Sequence, residues 1–121
     1  MKKILLVEDE PILMEIFSEG LEREGYAVDA AQSGREAREF FYQASKPDLL
    51  IVDIKLPDDS GVRLLEEFRK TTPDLTVIVI TAYDMFQSEY EIWSANIAAY
   101  MVKPIDLDDL ILQVKQHSPL E

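Results

Sequence analysis

The chain has 121 residues, with 12 Lys and Arg against 24 Asp and Glu, a formal net charge of −12 at 47% hydrophobic content. That length suits one domain with one core, and the acidity argues against nucleic acid or an anionic membrane as a direct partner, since both recruit Lys and Arg. With no Cys, and His117 as the only His, disulfides, thiolate catalysis and Cys-type zinc sites are excluded, and His triads are poor candidates.

Lys2 and Lys3 followed by apolar Ile4–Val7 imitate the start of a signal peptide, but Glu8, Asp9 and Glu10 end the run well short of the ~7–15 apolar residues required. No apolar run approaches the ~18 residues that span a bilayer, so a cytoplasmic chain is expected. Ile4–Val7, Leu49–Val52 and Val77–Ile80 are short, continuous apolar runs. Such runs fit strands covered on both faces of a parallel sheet. Weaker strands are expected at Tyr26–Ala30 and Ala98–Val102.

Helical spacing fills the intervals. Ile12, Leu13, Ile16, Phe17 and Leu21 form the first apolar stripe, opened by Pro11 and stopped at Gly25. Ser33 and Glu36 predict a capping box ahead of Ala37, Phe40 and Phe41. A third helix starts near Gly61 with Leu64, Leu65 and Phe68, and a fourth covers about Asp84–Ser94. The last is capped by Asp106 and carries Leu107, Leu110, Ile111 and Val114. Strand and helix thus alternate five times. This predicts an α/β, doubly wound (βα)5 domain over residues 1–121, with residues 118–121 a tail, a linker start or a cloning remnant.

Functional groups of such sheets gather beyond the carboxyl ends of the strands. Those ends carry Glu8-Asp9-Glu10, Asp53, Thr81-Ala82 and Lys103-Pro104. Close carboxylates repel and call for a hard cation such as Mg²⁺. Lys103 adds an ammonium and Thr81 a hydroxyl. Together these are the groups that a transferring phosphoryl group requires around a nucleophile. Asp53, central in the expected sheet, is the candidate nucleophile, with Glu8 and Asp9 as metal ligands. Asp58 and Asp59 read as a helix N-cap or solvated loop acids, outside the chemistry.

The stretches Ile4–Glu10, Asp48–Pro57, Asp59-Ser60-Gly61, Val79–Ala82 and Tyr100–Pro104, in this order and spacing, resemble the response-regulator receiver domain of two-component signalling, in the CheY-like superfamily. The resemblance implies the flavodoxin-like receiver fold and Mg²⁺-dependent phosphorylation of Asp53 by a histidine kinase, a histidine phosphotransfer protein or a small phosphodonor. It implies a regulatory phosphoprotein, not an enzyme acting on other substrates. It further implies a metal-ligating backbone carbonyl at Lys55 and phosphoryl contacts from Thr81, Lys103 and the Ala82 N–H. A switch pair, Thr81 and Tyr100, and a cis bond before Pro104 follow from it too. Output would pass to the surface of the fourth helix, last strand and last helix, which is also a possible dimer face.

Asn96 stands where the family usually has Gly, a substitution that Asn's tolerance of left-handed angles accommodates. Met85, Phe86, Tyr90, Ile92 and Trp93 make the fourth helix bulky, as core or as an apolar output patch. The large side chains of Lys55 and Tyr83 are expected to slow the water that hydrolyses aspartyl phosphate. Among rivals, a flavodoxin-like carrier needs a Ser/Thr/Gly-rich loop where Glu8-Asp9-Glu10 stands. A dehalogenase-type phosphatase needs its Asp nucleophile after the first strand. A receiver acting only as an unphosphorylated interaction module would not need the full residue set. The remaining alternative is the receiver part of a larger DNA-binding or hybrid-kinase protein.

Overall fold

A computed structural model describes residues 2–43, 45–82 and 96–120. The fourth helix expected at Asp84–Ser94, its bulky residues and Tyr83 lie outside the described residues. In chain order the elements are β1 (Lys3–Val7), α1 (Pro11–Arg23), β2 (Ala27–Ala31), α2 (Gly34–Phe41), β3 (Leu49–Asp53), α3 (Gly61–Thr71), β4 (Thr76–Thr81), β5 (Ala99–Val102) and α4 (Leu107–His117).

The five strands form one parallel sheet in the order β2-β1-β3-β4-β5. Successive strand residues alternate between two cores, which is why the runs are apolar without interruption. Leu5, Val7, Leu50, Val52, Val77 and Val79 pack with Phe41 of α2 and with Leu64 and Phe68 of α3. Ile4, Leu6, Leu49, Ile51, Ile78 and Ile80 pack with Phe17 and Leu21 of α1 and with Leu110 and Val114 of α4. Each such side chain taken from water contributes about 1.5–3 kcal/mol. Helices on both sheet faces make the fold the doubly wound one read from the sequence.

The termini of the elements show local chemistry at work. Ser60 and Asp106 accept the N–H groups of Val62 and Asp108. At α2 the capping box is only half made. Ser33 Oγ accepts the Glu36 N–H at 3.2 Å, but Glu36 Oε1 takes the N–H of Gln32, not of Ser33. Strand β2 starts one residue later than expected because the Tyr26 N–H is spent on Leu21 O, closing the end of α1. Asn96 sits at φ 59°, the left-handed angle expected of it, and the Lys103–Pro104 bond is cis. Within the expected tail, Ser118 is buried and its carbonyl accepts Tyr26 Oη–H at 2.8 Å, while Leu120 packs on the second core.

Candidate functional site

The sheet register brings the site together. Val7 pairs with Val52, Asp53 with Ile80, and Thr81 with Val102. Glu8, Asp53, Thr81 and Lys103 therefore fall on nearly one rung, at the carboxyl edge where the strand order reverses direction. Glu8 is 0% and Asp53 3% exposed, and Thr81 is equally buried. Asp9 and Ala82 are exposed at the rim, and Lys55 is exposed beside them.

Lys103 organises these groups. Its Nζ lies 2.8 Å from Asp53 Oδ2, 3.0 Å from Glu8 Oε1 and 2.6 Å from Glu10 Oε2. Its backbone N–H donates to Thr81 O at 2.6 Å, which fixes the loop after β5 to the end of β4. The second Asp53 oxygen, Oδ1, accepts the Lys55 N–H at 3.0 Å. Burial works against the Lys103 ammonium, but its bonds to Asp53, Glu10 and Glu8 outweigh that and hold its pKa above the ordinary lysine value. Burial raises the Glu8 carboxyl, and the Glu10 N–H and Lys103 only partly offset it.

The donor set suits a hard divalent cation. Ligand atoms of Glu8, Asp9 and Asp53 all lie within 4.8 Å of one another. Among the described residues the buried Glu8 Oε1 accepts no hydrogen bond and has only the Lys103 ammonium beside it, at 3.0 Å, so it keeps lone-pair capacity for a cation. Carboxylate oxygens are among the ligands Mg²⁺ takes. A cavity of about 230 Å³ opens over them, bordered by Asp9, Glu10, Asp53, Lys55, Ala82 and Lys103.

Tyr100 sits apart from this group. It pairs with Val79, below Thr81, and packs half-buried on the core facing α2 and α3. Two features were not read from the sequence. Glu10 joins Lys103, a placement its position in the acidic stretch just past β1 could have signalled. Asp58 and Asp59, expected as a helix cap or solvated loop acids, serve α2 from another part of the chain. Asp58 accepts the N–H groups of Gly34 and Arg35 at 2.8 and 3.0 Å, capping that helix. Asp59 accepts Arg38 Nη2 at 2.6 Å. Gly61 follows because a Cβ there would collide with the Asp53 carbonyl oxygen.

Known proteins resemble the chain along most of its length. The family model of the response regulator receiver domain matches residues 4–115. The virulence transcriptional regulatory protein PhoP of Salmonella typhimurium (strain LT2) is 32% identical over 115 residues, 95% of this chain and 51% of that protein. The chain thus spans about half the length of the curated relatives it matches. A CheY-like receiver domain from Methanospirillum hungatei superposes with a TM-score of 0.89 at 32% identity, covering 96% of this chain and 92% of that one. TrrA of Thermotoga maritima, solved in complex with Mg²⁺-BeF, gives 0.83 at 40% identity, covering 96% and 98%. This chain belongs to the response regulator receiver domain family.

Proposed function

We propose that the chain, as one receiver domain, is a phosphoacceptor switch in which Asp53 takes a phosphoryl group from a sensor histidine kinase, a histidine phosphotransfer protein or a small phosphodonor. The observation that carries this reading is a buried carboxylate, Asp53, held 2.8 Å from the Lys103 ammonium beside the Glu8 and Asp9 carboxylates. An Asp53 oxygen bonds to phosphorus as the P–N bond of the donor breaks, and the leaving imidazole keeps the electron pair and takes a proton. Lys103 neutralises charge on the phosphoryl oxygens, and the Ala82 N–H and Thr81 hydroxyl donate to them. When bound, Mg²⁺, on Glu8, Asp9, Asp53 and the Lys55 carbonyl, supplies positive charge to the same oxygens. The protein catalyses only its own phosphorylation and dephosphorylation.

Thr81 then moves toward the phosphoryl group and Tyr100 turns inward, altering the surface of β5 and α4 with the segment between β4 and β5. Val102 and Leu112 leave apolar surface there, at 44% and 62% exposure, as a homodimer contact would require. New contacts that exist only in the phosphorylated state are what shift such an equilibrium. The net charge of −12 supports a domain that does not itself bind DNA or membrane. Among the described residues no helix is long and apolar enough to cross a membrane, in keeping with a proposed cytoplasmic setting. A second reading, the receiver part of a larger transcriptional regulator, is favoured by the half-length match to PhoP.

The test is radiolabelling from acetyl phosphate and from a phosphorylated kinase, with Mg²⁺ present. The parent is expected to label and Asp53→Asn to stay unlabelled; an Asn variant that labels at the parent's rate overturns the assignment.

A further inference from the structure

Glu10 stands outside the groups through which the proposed transfer runs, yet it makes the shortest contact to Lys103. The distance is 2.6 Å, against 2.8 Å to Asp53 and 3.0 Å to Glu8. Extended backbone at Glu10 (φ −85°, ψ 111°) and its N–H bond to Glu8 Oε2 at 2.9 Å fold its carboxylate back over the cavity mouth. α1 starts at the next residue, Pro11, so this placement is fixed from both sides.

An ammonium has three N–H donors. Here Asp53, Glu8 and Glu10 take all three. A phosphoryl oxygen can gain a bond from Lys103 only if one acceptor lets go. Asp53 and Glu8 are buried, so only another cation, such as the proposed Mg²⁺, can take the place of Lys103 on them. Glu10 is different: its side chain is 55% exposed, so water can replace the ammonium there at little cost.

Resting on the phosphoacceptor reading, we infer that Glu10 is a latch on Lys103, a positioning residue that slows uptake of a phosphoryl group at Asp53. It acts twice. Its carboxylate competes for the third ammonium proton, and its charge repels the roughly two negative charges of the incoming group. Glu10→Gln removes the charge, keeps the size and leaves Glu8, Asp9 and Asp53 in place.

The experiment compares the parent, Glu10→Gln and Glu10→Asp at saturating Mg²⁺. Rates of Asp53 labelling by acetyl phosphate are measured, with Asp53 Oδ attacking phosphorus and acetate leaving with its electron pair. Calorimetric titration with beryllofluoride in Mg²⁺ supplies a binding readout free of turnover. The Gln variant is expected to label about fivefold faster, the scale of a partly exposed ion pair, and to bind beryllofluoride tighter by a similar factor. Asp, with its shorter reach, falls between the two. Added salt narrows the gap by screening the latch. A parent that labels alongside a Gln variant no faster, or with no tighter beryllofluoride binding, overturns the latch alone. A parent that never labels overturns the phosphoacceptor reading and the latch with it.

Discussion

Two cations, Lys103 at the carboxyl edge of the sheet and Arg38 on the flank between α2 and α3, each gather carboxylates around them. On the flank the account balances. The Arg38 fork reaches Asp59 at 2.6 Å and Glu67 at 3.0 Å. Glu67 also accepts Tyr42 Oη–H at 2.6 Å, Asp59 accepts the Ser60 N–H at 2.7 Å, and the neighbouring Asp58 caps α2. At the edge a single ammonium serves Glu8, Glu10 and Asp53, with Asp9 close by. A planar fork with added donors satisfies its acids, whereas a point charge shared three ways leaves net repulsion. The flank is arranged to hold the loop after β3. The edge keeps an excess of carboxylates over the cation it holds, so added positive charge there would be stabilising.

Gly61→Ala would break both regions at once, because a Cβ there strikes the Asp53 carbonyl and the Gly61 N–H bond to Ile54 O, 2.7 Å, would have to move. A loss on the order of 3 kcal/mol is expected from chemical denaturation. Opposite signs come next. Without metal, Asp53→Asn should raise stability by about 1–2 kcal/mol through relief of repulsion, while Asp59→Asn should lower it by about 1 kcal/mol. Melting curves of the two variants decide this, and equal signs would erase the contrast. Mg²⁺ should then raise the parent's melting temperature more than that of Asp53→Asn.

Asp58→Ala removes a cap and should cost about 1 kcal/mol, with hydrogen exchange rising first at Gly34 and Arg35. The smallest effect concerns pH. N–H bonds from Gly34 and Arg35 hold Asp58, and Arg38 and the Ser60 N–H hold Asp59, below the ordinary aspartate value. Groups depressed in this way add stability that is whole above about pH 4 and fades as pH falls through their lower folded values. Acid melts should therefore show a shallower loss below pH 4 in an Asp58→Asn, Asp59→Asn double variant.

The sheet was legible because its strands are covered on both faces, which forces runs such as Leu49–Val52 that no surface segment needs. The candidate site was legible because Glu8, Asp53, Thr81 and Lys103 each stand at or just past the end of an apolar run. Glu10 was named in the same acidic stretch, but its tie to Lys103 joins positions 93 residues apart. Asp58 shows the same difficulty from the other side. A cap made within a helix leaves a local spacing, as at Ser33 and Glu36, but a cap delivered from 24 residues away leaves none. Even at Ser33 the box was misread by one link, because a neighbouring N–H at Gln32 outcompeted the expected one.

The fit of Gly61 beneath Asp53 also gives the site a direction. With backbone packed against backbone on that side, the main chain at the centre of the sheet has no slack. Volume added to the Asp53 side chain is turned from that wall into the cavity bordered by Ala82 and Lys103, beside the end of β5. That strand, β5, is the edge of the sheet and pairs only with β4 among the described strands. Added volume there meets a fixed wall on one side and, on the other, a strand with one described neighbour.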